Sequence, residues 1–176
     1  METTLKDGQT LRICVATPED AQVILAYIAQ RSGESTFLTF GPGEFEMTVE
    51  QEAEFLRGCH GSVNQTYILG FIDGALVATA NVSASARSRL RHCAEFGMSV
   101  RRSSWGLGIG AAMLDYLIAW ARENPVLTKF DLRVRADNTR AISLYRGRGF
   151  IEEGLLRKQF FVDGEHYDLI AMGMDV

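Results

Sequence analysis

Three glycines at alternating positions, Gly106, Gly108 and Gly110, stand where an apolar, strand-like run ending at Val100 gives way to a long amphipathic helix pattern. No other feature constrains the chain as much. Glycine lets backbone approach a ligand closely, and the unpaired N–H groups of a helix's first turn point outward at the positive end of its dipole. A strand, a glycine turn and a helix in succession therefore predict an anion cradle. A phosphate-bearing cofactor is its natural guest.

The helix after the turn places Ile109, Met113, Tyr116, Leu117 and Trp120 on one face, and Leu114 and Ile118 widen that face into a deeply buried element. Residues 11–16 alternate as a strand, and Thr17-Pro18-Glu19-Asp20 opens a helix with a hydroxyl, a first-turn proline and acidic side chains. Thr48-Val49-Glu50-Gln51 has capping-box spacing and starts a second helix that runs to about Arg57. Residues 66–72 and 75–85 read as strands joined by the turn Asp73-Gly74, and residues 92–100 as the strand that leads to the glycines. A strand at 127–134, a helix at 139–146, a strand at 150–153 and a final pair at 159–162 and 167–174 complete the chain. Hairpins followed by a β-α-β-α-β series predict an α/β fold: a mixed sheet flanked by helices.

A length of 176 residues suits one sizeable core, so the chain reads as a single domain, residues 1–176. Its net charge of −4 gives no general attraction to nucleic acid or to an anionic membrane surface. Cys14, Cys59 and Cys93 are odd in number and form no C-x-x-C pair, which predicts free, buried thiols. His60 beside Cys59 and His92 beside Cys93 lack any repeating ligand spacing, so no metal is assigned. The N-terminus lacks the charged and apolar regions of a signal peptide, and a cytoplasmic location is expected.

Residues 106–111 satisfy the pattern G-x-G-x-x-A, which also occurs in dinucleotide-binding turns. In such turns the strand runs almost directly into the first glycine, whereas here Arg101-Arg102-Ser103-Ser104-Trp105 intervenes. The acidic residue expected about twenty positions later should end the next strand, but Asp131 falls in the middle of it. A nicotinamide oxidoreductase is disfavoured on both counts.

A second cluster follows the next strand. Asn138, Ala141, Leu144, Tyr145, Gly149 and Phe150 match N-x-x-A-x-x-L-Y-x-x-x-G-F without a gap, and Trp105-x-x-Gly108-x-Gly110 matches all but the head of [QR]-x-x-G-x-[GA]. With both motifs in this order, the chain resembles the GCN5-related N-acetyltransferase (GNAT) family. The resemblance implies the acyl-CoA acyltransferase fold, acetyl-CoA as cosubstrate and an amine acceptor. It implies that Met98, Ser99 and Val100 pair with the pantetheine arm, that Gly106, Leu107, Gly108, Ile109, Gly110 and Ala111 cradle the diphosphate, and that Asn138 contacts the arm. The family's Gln or Arg is Trp105 here, so Arg101 or Arg102 is left to supply the missing charge.

Acetyl transfer needs a proton for the leaving thiolate and a base for the incoming amine. A phenol with an ordinary pKa of about 10 can supply that proton, and the family's matching tyrosine makes Tyr145 the candidate acid. Glu95, on the strand that leads to the glycines, is the first candidate base and His92 the second; three residues apart, they point to opposite faces of a regular strand. Glu44, Glu46, Glu50, Glu52 and Glu54 cluster where this fold builds its acceptor wall, which suits a cationic amine such as a polyamine or a basic amino acid as well as a solvated helix face. The run from His92 to Val100 and the long closing segment look most like bacterial enzymes that acetylate small metabolites such as amino acids. An enzyme for protein N-termini and a noncatalytic acyl-CoA-binding sensor are the alternatives, and a homodimer is compatible with the fold.

Overall fold

Alternation builds the first strands. In the computed structural model, which describes residues Met1–Val176, β1 (Glu2–Thr4) pairs antiparallel with β2 (Thr10–Val15), where Leu11 and Ile13 are fully buried and Arg12 is exposed. β1 has no apolar signal of its own and exists because β2 offers it a sheet edge. Pro18–Asp20 form a 3-10 turn, held where Asp20 accepts both the Thr17 N–H (2.8 Å) and the Thr17 hydroxyl (3.0 Å), and α1 (Ala21–Arg31) follows. Thr17 is thus the N-cap of this turn, as its position suggests, in a capping box with Asp20. α2 (Val49–Gly61) has the predicted capping box, with Thr48 Oγ1 accepting from Gln51 N–H at 3.2 Å, and extends past Arg57 to Gly61.

β3 (Thr66–Ile72) and β4 (Ala75–Ala84) form the predicted hairpin, with positive φ at both Asp73 and Gly74. β5 (Cys93–Val100) leads into the glycine turn and α3 (Ile109–Glu123); β6 (Lys129–Arg135) and α4 (Thr139–Arg146) come next. The strands expected at 150–153 and 159–162 are one continuous strand, β7 (Ile151–Val162), paired with β8 (Glu165–Asp175). Its register shifts between Glu152 and Gly154 and again between Leu156 and Phe160. Bulges carry the pairing through a polar stretch that lacks apolar alternation.

The eight strands lie in the order β1-β2-β3-β4-β5-β6-β8-β7. Helices α3 and α4 cover one face with the larger core, centred on Leu114, Leu117, Phe130 and Met172, and α1 and α2 cover the other through Ile24, Leu56 and Leu69. Only β5 and β6 run parallel, and their pairing is brief, from Cys93 opposite Lys129 to Glu95 opposite Asp131. Beyond that point β5 keeps its partner β4 through Val100, while β6 keeps β8 through Arg135. The two halves of the sheet therefore part in the middle. No helix is long and apolar enough to cross a membrane.

Candidate active site

The glycine turn lies at the end of β5, after a 3-10 turn at Arg102–Ser104. Gly106 and Gly108 have φ of 90° and 97°, a region costly for any residue with a Cβ, and Gly108 is the N-cap of α3. The helix's first backbone bond is donated by Ala112 to the Gly108 carbonyl at 3.0 Å, and the N–H groups of residues 106–111 find no acceptor within the chain. A run of free donors at a helix N-terminus fits a diphosphate, so the residues present suit coenzyme A at this position.

From the turn, a cleft of about 2600 Å³ follows the parting of β5 and β6. Strand alternation sorts its two sides. Phe96, Met98 and Val100 face α3 and α4, whereas Glu95, Gly97 and Ser99 face α1 and α2; Ser99 Oγ lies 3.1 Å from the Tyr27 hydroxyl. Tyr145, on the inner face of α4, is 8% exposed and packs edge-on against Phe96 with ring centroids 5.8 Å apart. Its hydroxyl has no hydrogen-bond partner in the chain, and burial alone pushes its pKa up to about 12. Glu95 approaches the parting from the opposite face, with its exposed carboxylate 3.6 Å from the Arg133 guanidinium.

Met98, Ser99, Val100, Gly106, Gly108, Ile109, Gly110, Ala111, Asn138, Tyr145 and Glu95 all line this cleft. Three other residues singled out from the sequence do not. His92 is exposed and precedes β5, and its carbonyl accepts from Thr128 and Lys129. Arg101 turns away to stack its guanidinium 6.0 Å over the Tyr27 ring. Leu107 lines a separate, smaller cavity, while its carbonyl accepts from Lys6 N–H at 3.2 Å. Of the acidic cluster, only Glu44 and Glu52 line the cleft; Glu46, Glu50 and Glu54 are exposed on the solvent side.

Two cations that the sequence did not single out matter here. Trp105 donates its indole N–H to the Val100 carbonyl at 2.7 Å, and the Arg140 guanidinium, from the first turn of α4, sits 5.2 Å over the same ring. Arg140 forms no ion pair within the chain and lines the same cleft as the run of free N–H groups, where a cation would complement phosphate. Arg135, 7% exposed, grips Asp137 in a fork (2.7 and 2.9 Å) and donates to the Thr36 carbonyl at 2.8 Å. Phe37 and Tyr167 rings lie 4.3 and 4.1 Å from its guanidinium, so Arg135 ties the loop between α1 and α2 to the end of β6. These contacts join segments far apart in the chain. Only the position of Arg140, two residues after the cap Asn138, hinted at its role.

Comparison with known proteins agrees with this geometry. The model of the Acetyltransferase (GNAT) family matches residues 31–150. L-amino acid N-acetyltransferase AaaT of Escherichia coli (strain K12) is 29% identical over 105 residues, 60% of this chain and 65% of that protein. N-alpha-acetyltransferase RimI of Mycobacterium tuberculosis is 33% identical over 103 residues, 58% of this chain and 63% of that protein. The chain thus spans a little under two thirds of the length of both curated relatives. The crystal structure of a GNAT-family acetyltransferase from Streptococcus pneumoniae superposes with a TM-score of 0.92 at 29% identity, covering 94% of this chain and 99% of that one. The family model spans the parted strands and the glycine turn, and the chain belongs to the Acetyltransferase (GNAT) family, whose cosubstrate is acetyl-CoA.

Proposed function

We propose that this protein transfers the acetyl group of acetyl-CoA to the primary amine of a small metabolite, with Glu95 as general base and Tyr145 as general acid. Acetyl-CoA supplies the acetyl thioester. The supporting observation is that Glu95 and Tyr145 reach the parting of β5 and β6 from opposite faces of the sheet. Direct transfer needs that opposition: an amine enters on one side and sheds a proton, while a thiol departs on the other and gains one. Glu95 takes the proton from the amine, directly or through water, because its carboxylate is open to solvent. The buried Tyr145 phenol stays protonated and donates to the departing sulfur, whose conjugate thiol has a pKa of about 8.5. His92 does not line the cleft, which favours Glu95 for this role.

The loop between α1 and α2, anchored by Arg135 on Thr36, lines the acceptor side with Phe37 and Phe40. A fixed, aromatic wall favours a compact acceptor over an extended peptide. A screen of free amines, amino acids and N-terminal peptides, read by coenzyme A thiol release, tests the reading. Turnover of a free amine or amino acid is the expected result; turnover of peptides alone would replace it with protein N-terminal acetylation, and binding of acetyl-CoA without any turnover would leave a sensor.

A further inference from the structure

Glu52 is the acidic residue of the α2 cluster that points into the protein. It is 1% exposed and lines the acceptor wall of the cleft. Its Oε1 has no hydrogen-bond partner, and no cation of the chain forms an ion pair with it. Arg31, a buried cation that also lines the cleft, is already paired with Glu34 at 3.2 Å. Glu44, the other cluster member in the cleft, holds the Gly41 N–H at 2.7 Å. Around Glu52 the wall is aromatic: Tyr67 is 8% exposed and meets the edge of Phe55 at 6.2 Å. An unpaired carboxylate in such a place is disfavoured by its loss of solvent, and a cation brought from outside offsets that loss. A carboxylate flanked by aromatic rings is an ammonium site.

Its distance from Glu95 is set by the sheet. Glu95 lies opposite Ser83 on β4, and Tyr67, beside Glu52, lies opposite Asn81 on the same strand. β5 and β3 are two strand spacings apart and the two positions are offset by two residues along β4, so about 12 Å separates the Tyr67 and Glu95 backbones, the span that the pocket offers between Glu95 and the neighbourhood of Glu52.

We propose that Glu52 is a second cation site of the acceptor pocket, and that the acceptor is a diamine or another amine carrying a distal ammonium group. This rests on the acetyltransferase reading of the same cleft. The proximal nitrogen bonds to the acetyl carbon and gives up one proton as the carbon–sulfur bond breaks and the thiol takes a proton; the distal nitrogen stays protonated on Glu52.

The test measures initial rates with acetyl-CoA for a series of α,ω-diamines and their matched monoamines in the wild type and in Glu52→Gln, alongside calorimetric binding of the same amines in the presence of coenzyme A. At least a tenfold preference for a diamine in kcat/KM, carried by KM and reduced to near unity in Glu52→Gln, is expected. Equal use of both series, or a preference that survives in Glu52→Gln, overturns the cation site. If no amine is acetylated, the acetyltransferase reading fails, and binding still decides Glu52. Saturable diamine binding lost in Glu52→Gln supports the site, and absence of such binding overturns it.

Discussion

The role proposed for Tyr145 rests on isolation. With no hydrogen bond and little solvent, its phenol holds its proton up to about pH 12, well above the range in which an ordinary tyrosine ionises. Tyr145→Phe should therefore lower kcat by about a hundredfold, the typical contribution of a placed acid. In the wild type, kcat/KM should rise as the acceptor amine deprotonates and then hold through pH 10. A descending limb centred near pH 10 would show that the acid is a group less buried than Tyr145. Arg140 is stacked on Trp105 and free of any ion pair; if it meets the diphosphate, Arg140→Ala should raise the KM for acetyl-CoA about tenfold, as expected for a lost charge-assisted contact to phosphate, without lowering the melting temperature. Glu52 makes the opposite trade. Burial raises its pKa in the folded state, so its contribution to stability is complete below about pH 4 and is lost as the pH rises through the folded value. Glu52→Gln should accordingly raise the melting temperature at pH 7, a gain that vanishes below about pH 4. A residue that weakens the free protein at neutral pH and whose unpaired oxygen lines a cleft is one whose partner arrives with the ligand.

Among the elements, the loop between α1 and α2 depends most on a single side chain. Arg135 is buried and its guanidinium serves Asp137, Thr36 and three aromatic rings at once; its pairing with Asp137 holds that carboxyl below the usual carboxylate range. Arg135→Met should free the loop, raise the acceptor KM more than that for acetyl-CoA, and make the 35–45 segment sensitive to limited proteolysis. An unchanged digestion pattern would mean that Phe40 and Phe45, whose rings meet at 5.3 Å, hold the loop by themselves. Elements with local signals were legible in the sequence. α4 has the predicted ends because Asn138 caps it, and β3 and β4 have theirs because Asp73-Gly74 permits the turn. β7 was misread as two strands because Gly154 and the polar residues around it look like a break, and its continuity is imposed by β8 alone. The site divides in the same way. The glycine turn and Tyr145 announce themselves through spacing, whereas the inward turn of Glu52, the outward turn of Glu46, Glu50 and Glu54, and the stacking of Arg140 on Trp105 depend on contacts that no local pattern encodes.

At the scale of the whole molecule, buried phenols set an upper pH limit on stability. Tyr27, Tyr67 and Tyr145 are all raised above their ordinary value, chiefly by burial. In the unfolded chain they lose protons near pH 10, while in the folded protein they keep them. Stability is thus fully present below pH 10 and declines as the pH climbs through the folded values. Tyr145 alone accounts for about 2–3 kcal/mol between pH 10 and pH 12, so melting temperatures should hold level to pH 10 and then fall, less steeply in Tyr145→Phe. The order of strands follows from the hairpin and helix pattern, but the parting of β5 from β6 does not, because it is a shortfall of pairing and no residue type marks it. That shortfall puts an open strand edge in the centre of the sheet, where most proteins keep theirs at the rim. Between residues 96 and 100 every second N–H on the β6 side has no strand to bond. Amide hydrogen exchange should record it as rapid labelling in the middle of the sheet of the free protein, slowed when coenzyme A is added, a protection pattern that reads the occupancy of the cleft with no acceptor present.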